Sequence, residues 1–133
     1  MALDPFDGAS AWVTTTTGVW RTTDLSASPP AWAQVLTPEQ INAGTGDPFT
    51  FTGVSRVVAS PTDPGMFFVR ANYGAAGPNP PNYVGHTHDN GATWTWVVGV
   101  IQSGNNNRTT SLAVGPNNEI AIGGAVGTGN EGK

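Results

Sequence analysis

An eight-residue stretch in the second half of the chain constrains the fold more than any other feature. Residues 87–94 read Thr-His-Asp-Asn-Gly-Ala-Thr-Trp, with threonines at Thr87 and Thr93. An Asp in such a turn accepts hydrogen bonds from nearby backbone N–H groups, and a Gly adopts backbone angles that other residues avoid. The closing tryptophan can bury a large flat surface. The stretch therefore predicts a tight turn, organised by Asp89 and Gly91, that delivers Trp94 to a packed interface.

A hairpin signal recurs at regular distances along the chain. Pro5, Pro61 and Pro116 each stand between two short apolar segments, at a period of about 55 residues that is typical of repeat architectures. The sequence therefore predicts repeats at residues 1–54, 55–110 and 111–133, the last of them incomplete. In the second repeat we expect four strands, at about residues 55–60, 66–71, 82–88 and 94–101.

The first repeat contains a degenerate copy of the turn motif at Thr22, Asp24 and Trp32. Between Asp24 and Trp32 this copy has three more residues than the motif at 87–94, and it lacks the Gly. We therefore expect its turn to be looser. Trp32, like Trp94, is expected to be a core residue because it takes the same place in the motif.

The motif at residues 87–94, together with the recurring hairpin at residues 60–64, resembles the Asp-box of bacterial neuraminidase repeats and sialidase-like β-propellers. The resemblance implies an all-β fold of propeller blades, each a four-stranded antiparallel sheet, with an incomplete ring in one chain. A propeller contains about four to eight blades, whereas this chain would supply about two and a half. The remaining blades would come from the same longer protein or from further copies of the chain.

The same resemblance implies a class of function. It favours a non-catalytic segment that acts as a scaffold or binding unit; the alternative is a fragment of a sialidase-like or xyloglucanase-like glycoside hydrolase. Carbohydrate is the ligand class that the family suggests, and an extracellular or periplasmic location is favoured. The N-terminus, Met1 to Pro5, lacks the basic and apolar regions of a signal peptide. No cofactor is expected.

The composition argues against several other classes. Charged residues make up 11% of the chain, the net charge is −4, and the five basic residues are scattered, so we expect no nucleic-acid partner. No apolar run approaches the roughly 20 residues of a membrane-spanning helix, so we expect no membrane partner. Cysteine is absent, so a disulfide framework is excluded.

Three of the basic residues are candidates for an anion-binding or ligand-binding face: Arg56, Arg70 and Arg108. They are predicted near the end of the sheets opposite the turn motif, which is where sialidase-like propellers bind their ligands. Arginine suits such a site because its planar guanidinium binds a carboxylate through two parallel hydrogen bonds. The alternative is that the few arginines are simply distributed over the surface. Catalytic residues stay unassigned, since Tyr73 and Tyr83 lack the context of the family nucleophile.

Two further pairs of titratable residues are candidates for chemistry. His86 and His88 alternate on a predicted strand and would share a face, as metal ligands do, but no third ligand is evident and no metal is expected. Glu39 and Asp47 lie in a long loop on the predicted ligand end, where a carboxylate pair would suit glycoside hydrolysis. For both pairs the alternative is a set of solvated side chains.

The remaining aromatic and helical signals predict structure. Trp12 and Trp20 are expected to pack between blades. Trp96 should face the same way as Trp94, because alternate residues share a side of a strand. The nearest approach to a helix is a single turn at residues 37–42, with a threonine cap at its start.

Overall fold

The computed structural model describes residues 1–46, 51–73, 82–97 and 108–125. Strands dominate these ranges, as expected for a chain rich in threonine, valine and aromatic residues. In chain order the elements are β1 (Ala2–Leu3), β2 (Ala11–Thr15), β3 (Gly18–Thr22), β4 (Ala33–Leu36), α1 (Pro38–Thr45), β5 (Phe51–Ala59), β6 (Phe67–Tyr73), β7 (Asn82–Thr87), β8 (Thr95–Val97), β9 (Arg108–Val114) and β10 (Ile120–Ala125).

The strands form three antiparallel sheets. Sheet A has the order β1-β2-β3-β4, sheet B has the order β5-β6-β7-β8, and β9 pairs with β10 in sheet C. Within each sheet, strands that follow one another in sequence are neighbours, as expected when short turns join them. The all-β prediction is confirmed, and each of the four strands predicted for the second repeat overlaps a strand of sheet B. The end of the fourth predicted strand, residues 98–101, lies outside the described residues. The first of those strands, β5, begins at Phe51 rather than at residue 55.

The recurring hairpins share one pattern of backbone hydrogen bonds. The Asp4 N–H donates to the Ser10 carbonyl over 3.1 Å in sheet A, and the Ser60 N–H donates to the Met66 carbonyl over 2.9 Å in sheet B. The corresponding backbone hydrogen bond in the hairpin of sheet C is 2.8 Å long, and it closes a shorter loop. Asp4 and Ser60 are therefore equivalent positions, and so are Ser10 and Met66.

Two hydrophobic cores separate the sheets. Between sheets A and B, the fully buried Trp12 stacks on Phe67 with ring centroids 4.0 Å apart. Between sheets B and C, Phe68 belongs to one buried cluster with Leu112. Because Phe67 and Phe68 are neighbours on β6, their side chains point to opposite faces of the sheet. Sheet B therefore lies between the other two.

The helix α1 follows sheet A. Thr37 caps it: Thr37 Oγ1 accepts a hydrogen bond from the Gln40 N–H at 3.3 Å, and the Gln40 side chain accepts one from the Thr37 N–H at 2.8 Å. The predicted cap is confirmed, but the helix continues past a single turn to Thr45 and ends at Gly46, whose φ is 65°. The fully buried Ile41 attaches it to the core between sheets A and B. No helix in the described ranges has the length and apolar character needed to cross a membrane.

Candidate functional site

The turn at residues 87–94, called here the box turn, connects β7 to β8 and is held by its own side chains. Thr87 Oγ1 accepts hydrogen bonds from the Gly91 N–H at 2.9 Å and the Asp89 N–H at 3.3 Å, and it donates to Asp89 Oδ1 over 2.7 Å. The Asp89 carboxylate also accepts from the Thr93 N–H at 2.9 Å and from the Thr93 hydroxyl at 2.6 Å. The three polar side chains of the motif therefore all bond within the turn.

The backbone of the box turn explains its glycine. Asn90 and Gly91 have positive φ angles of 58° and 90°, a region that Asn tolerates and Gly enters freely. A Cβ atom at Gly91 would lie 2.9 Å from the Val35 Cβ on β4. Gly91 is thus required both by the backbone angle and by the close packing of the turn on sheet A.

Trp94 links sheet B to sheet A. Its Nε1 donates a hydrogen bond to the Val35 carbonyl over 3.0 Å, and its ring meets Trp12 edge to face at a centroid separation of 6.5 Å. The side chain is half-buried and packs against the core that the two sheets share. The prediction that the turn delivers Trp94 to a packed interface is confirmed.

The hydrogen bonds of the box turn keep the Asp89 carboxylate charged. Those from the Thr93 hydroxyl and the Thr93 N–H, followed by that from Thr87, lower the pKa of Asp89 from 3.8 to about 2. A catalytic acid needs a pKa near the working pH, whereas donors within the turn move this one away from it. Both oxygens of the Asp89 carboxylate accept hydrogen bonds from within the turn.

In the degenerate turn after β3, the side-chain hydrogen bonds span fewer residues than in the box turn. Thr22 Oγ1 accepts from the Asp24 N–H at 3.3 Å, as Thr87 does from Asp89. Asp24 Oδ1 accepts from the Ser26 hydroxyl at 2.5 Å and the Ser26 N–H at 2.9 Å, and these two bonds lower the pKa of Asp24. The bonds of Asp24 thus reach two residues ahead, whereas those of Asp89 reach four. That the turn is looser stays a prediction.

The expectation that Trp32 is a core residue is wrong: the residue is 37% exposed. The reason is its position in the stack. Trp94 packs on sheet A, which precedes its own sheet, whereas the described residues contain no sheet before sheet A. Trp12 lies between sheets, as predicted, and Trp20 is half-buried.

The turns and the hairpins lie at the same end of their sheets. In sheet B the Asn90 N–H donates to the Gly65 carbonyl over 3.0 Å, and in sheet A the Leu25 N–H donates to the Ala9 carbonyl over 2.8 Å. Because strand direction alternates, α1 and the β2–β3 turn lie at the opposite end. This opposite end, called here the loop end, is where sequence reasoning expected a ligand.

Two of the three arginines predicted to form a ligand-binding face lie on neighbouring strands. Arg56 on β5 and Arg70 on β6 are cross-strand partners, but Arg56 is exposed and Arg70 is only 5% exposed. The Arg70 Nη1 donates to Ser55 Oγ over 3.3 Å, and burial lowers the pKa of the Arg70 guanidinium. Arg108 begins β9, and its side chain lies outside the described residues. A shared anion-binding face of the three stays a prediction.

The two histidines lie next to each other, with ring centroids 5.0 Å apart. His88 is exposed, whereas His86 is half-buried beside Phe68. Burial, and then the neighbouring His88, lower the pKa of His86, which favours its neutral form. Within the described ranges, no group of three His, Cys, Asp or Glu side chains could hold a metal ion.

The predicted carboxylate pair is described only in part. Glu39 is exposed on the first turn of α1, and its pKa is lowered by hydrogen bonds, first from its own backbone and then from the Thr37 side chain. Asp47 lies outside the described residues. Tyr83 is buried in the core between sheets A and B. A carboxylate pair formed by Glu39 and Asp47 therefore stays a prediction.

Sequence reasoning missed the surroundings of Trp96. A Cβ atom at Gly44 of α1 would clash with its ring, and a Cβ atom at Gly85 of β7 would lie 2.7 Å from it. The Trp96 ring therefore occupies a slot between α1 and β7. It stacks on the Trp94 ring with centroids 6.5 Å apart, so the prediction that the two side chains face the same way is confirmed. No motif marks the slot, because its two glycines are distant in sequence.

No protein-family model matches this sequence, and searches of curated proteins and of solved structures returned no similar protein.

Proposed function

We propose that the chain is a segment of an Asp-box β-propeller that acts as a non-catalytic scaffold, with stacked sheets holding a binding surface at the loop end. The observation that carries the proposal is a repeated contact. In both four-stranded sheets, a backbone hydrogen bond joins the hairpin between the first two strands to the turn between the last two: Leu25 to Ala9 and Asn90 to Gly65.

A radial arrangement of the sheets is favoured by their first strands. β5 contacts β1 and, more extensively, β2 of sheet A, and it contacts β9 of sheet C. In a propeller the blades surround a central channel, so one edge of each blade lies close to that of the next. Farther from these strands, Trp94 spans sheets A and B through its bond to the Val35 carbonyl. Both contacts fit blades that share an axis.

A scaffold role is favoured by what the polar side chains do. The Asp89 and Asp24 carboxylates accept hydrogen bonds within their own turns. Arg70 is buried beside Ser55 and Arg56 is exposed, so these side chains sit in different environments. Among the described residues, these two carboxylates therefore stabilise turns.

Hydrolysis assays test the non-catalytic role. We expect the chain to release no product from a fluorogenic sialoside or from xyloglucan oligosaccharides above the rate in buffer. If the wild type releases product, two folded variants are compared. Product release that is lost in Arg70→Lys and kept in Arg21→Lys would favour the glycoside hydrolase alternative.

A glycan array tests the binding role. We expect any bound glycan to be held at the loop end, so Ala43→Lys on α1 should change its affinity. Thr62→Lys, in the hairpin at the other end, is the matched control and should leave the affinity unchanged. Both residues are exposed. A glycan whose binding responds only to Thr62→Lys would contradict the proposed surface.

A further inference from the structure

The two faces of each sheet have fixed roles in the stack. We call the face that meets the following sheet the front face, and the face that meets the preceding sheet the back face. Trp12 lies on the front of sheet A and stacks on Phe67 at the back of sheet B. Phe68 lies on the front of sheet B and packs with Leu112 at the back of sheet C. Among the described residues, the back of sheet A and the front of sheet C meet no sheet.

The back of sheet A presents large apolar side chains to solvent. Leu3 is 57% exposed and Trp32 is 37% exposed. The half-buried Trp20 points the same way, because it alternates with Val19, which belongs to the core at the front of the sheet. Trp32 takes the place that Trp94 takes in sheet B, where the ring is seated on the preceding sheet. The back of sheet A therefore has the chemistry of a sheet-packing face.

The front of sheet C presents small side chains. Ala113 and Ala121 are cross-strand partners and both are exposed, while their neighbour Leu112 faces sheet B. In the register of the three hairpins, Ala121 is equivalent to Trp12 and Phe68, the aromatic residues at the front of the other two sheets. The front of sheet C thus has room where the other fronts carry a ring.

We propose that the back face of sheet A, centred on Trp32, binds the front face of sheet C of a second copy of this chain. The proposal rests on the proposed function, since it extends the same front-to-back packing across two chains. The side chains are complementary in size, large at the back of sheet A and small at the front of sheet C. Because two different faces meet, the contact is head to tail, and successive copies close into a ring or continue as a filament.

Sedimentation velocity of the 133-residue chain at micromolar concentration tests this assembly. The wild type should sediment well above the 13.7 kDa of one chain. Trp32→Glu and Ala121→Glu should each sediment as a monomer, because each variant keeps only one working face. Their equimolar mixture should form a 1:1 dimer, since each supplies the face that the other lacks. Ala43→Glu, on an exposed position of α1, is the matched control and should assemble like the wild type.

Each other outcome would overturn the proposal. Single variants that still dimerise would indicate a two-fold contact instead. A mixture that stays monomeric would exclude front-to-back pairing. A monomeric wild type would indicate that the two faces are covered by sheets of a longer polypeptide. The proposed function would still hold in that case if the distances between the sheets of one chain keep their radial order. Circular dichroism identifies variants that fail to fold; Leu3→Glu on the same face then replaces Trp32→Glu.

Discussion

Asp89 and Asp24 occupy equivalent positions and differ in the number of hydrogen bonds they accept. Asp89 accepts three from Thr87 and Thr93, whereas Asp24 accepts two from Ser26. Removing an acceptor leaves its donors without a partner, so Asp89→Ala should lower the free energy of unfolding more than Asp24→Ala does. Urea titrations of the two variants check this ranking, and equal midpoints would contradict it.

The same hydrogen bonds make the contribution of Asp89 depend on pH. Its pKa is about 2 in the folded chain, against about 3.9 for an unperturbed Asp. A lowered folded-state pKa gives stability that is present above the unfolded value and is lost as pH falls through the folded value. The difference in the free energy of unfolding between the wild type and Asp89→Asn should therefore be constant above about pH 5 and shrink towards about pH 2. Urea titrations across this range measure it, and a difference that grows on acidification would be inconsistent with the account.

The two tryptophans between sheets A and B stabilise them in different ways. Trp12 is fully buried, so Trp12→Ala should cost about 3–5 kcal/mol. Trp94→Phe keeps an aromatic ring but removes the N–H that bonds the Val35 carbonyl, which should cost about 1 kcal/mol. Chemical denaturation measures both. A Trp94→Phe variant as unstable as Trp12→Ala would mean that the ring itself, rather than its hydrogen bond, had been displaced.

At the scale of elements, α1 is fixed by the slot around Trp96. In a helix interior, replacing Gly with Ala normally stabilises by about 1 kcal/mol. At Gly44 the added Cβ would clash with the Trp96 ring, and overpacking costs about 1–3 kcal/mol. Gly44→Ala should therefore lower the melting temperature despite the better helix propensity. Gly8→Ala, where no atom lies within 4 Å of the added Cβ, is the control and should change it little. A stabilised Gly44→Ala variant would show that the helix does not rest on Trp96.

The elements that sequence could predict are those whose determinants are local. The partners of Asp89 lie within four residues, and the Thr37 cap bonds Gln40. The repeat period and the residue types of the turns were therefore sufficient to predict the box turn, the hairpins and the start of α1. The exposure of Trp32 could not be predicted, because it depends on which sheets stand beside it. The slot around Trp96 could not be predicted for a related reason: the two glycines that form it are far apart in sequence and become neighbours only in the folded chain.

At the scale of the whole molecule, the hairpins help to order the sheets. Ser60 Oγ, at the start of the sheet B hairpin, donates to the Asn118 side-chain oxygen over 2.6 Å, and the Asn118 amide donates to the Asp63 carboxylate. These contacts join the hairpin of sheet C to that of sheet B. The repeat period predicted that such units would recur, but it did not predict which faces would meet no other sheet among the described residues.

The central claim is that the sheets radiate from their first strands, and distances between paired spin labels test it most directly. The chain has no cysteine, so labels can be placed on engineered cysteines alone. One pair replaces Pro5 and Pro61, in the hairpins next to β1 and β5. The other replaces Thr23 and His88, in the turns before the outer strands; all four positions are exposed. The account predicts a clearly shorter distance for the hairpin pair than for the turn pair. Equal distances, as in a sandwich of two layers stacked about 10 Å apart, would contradict it.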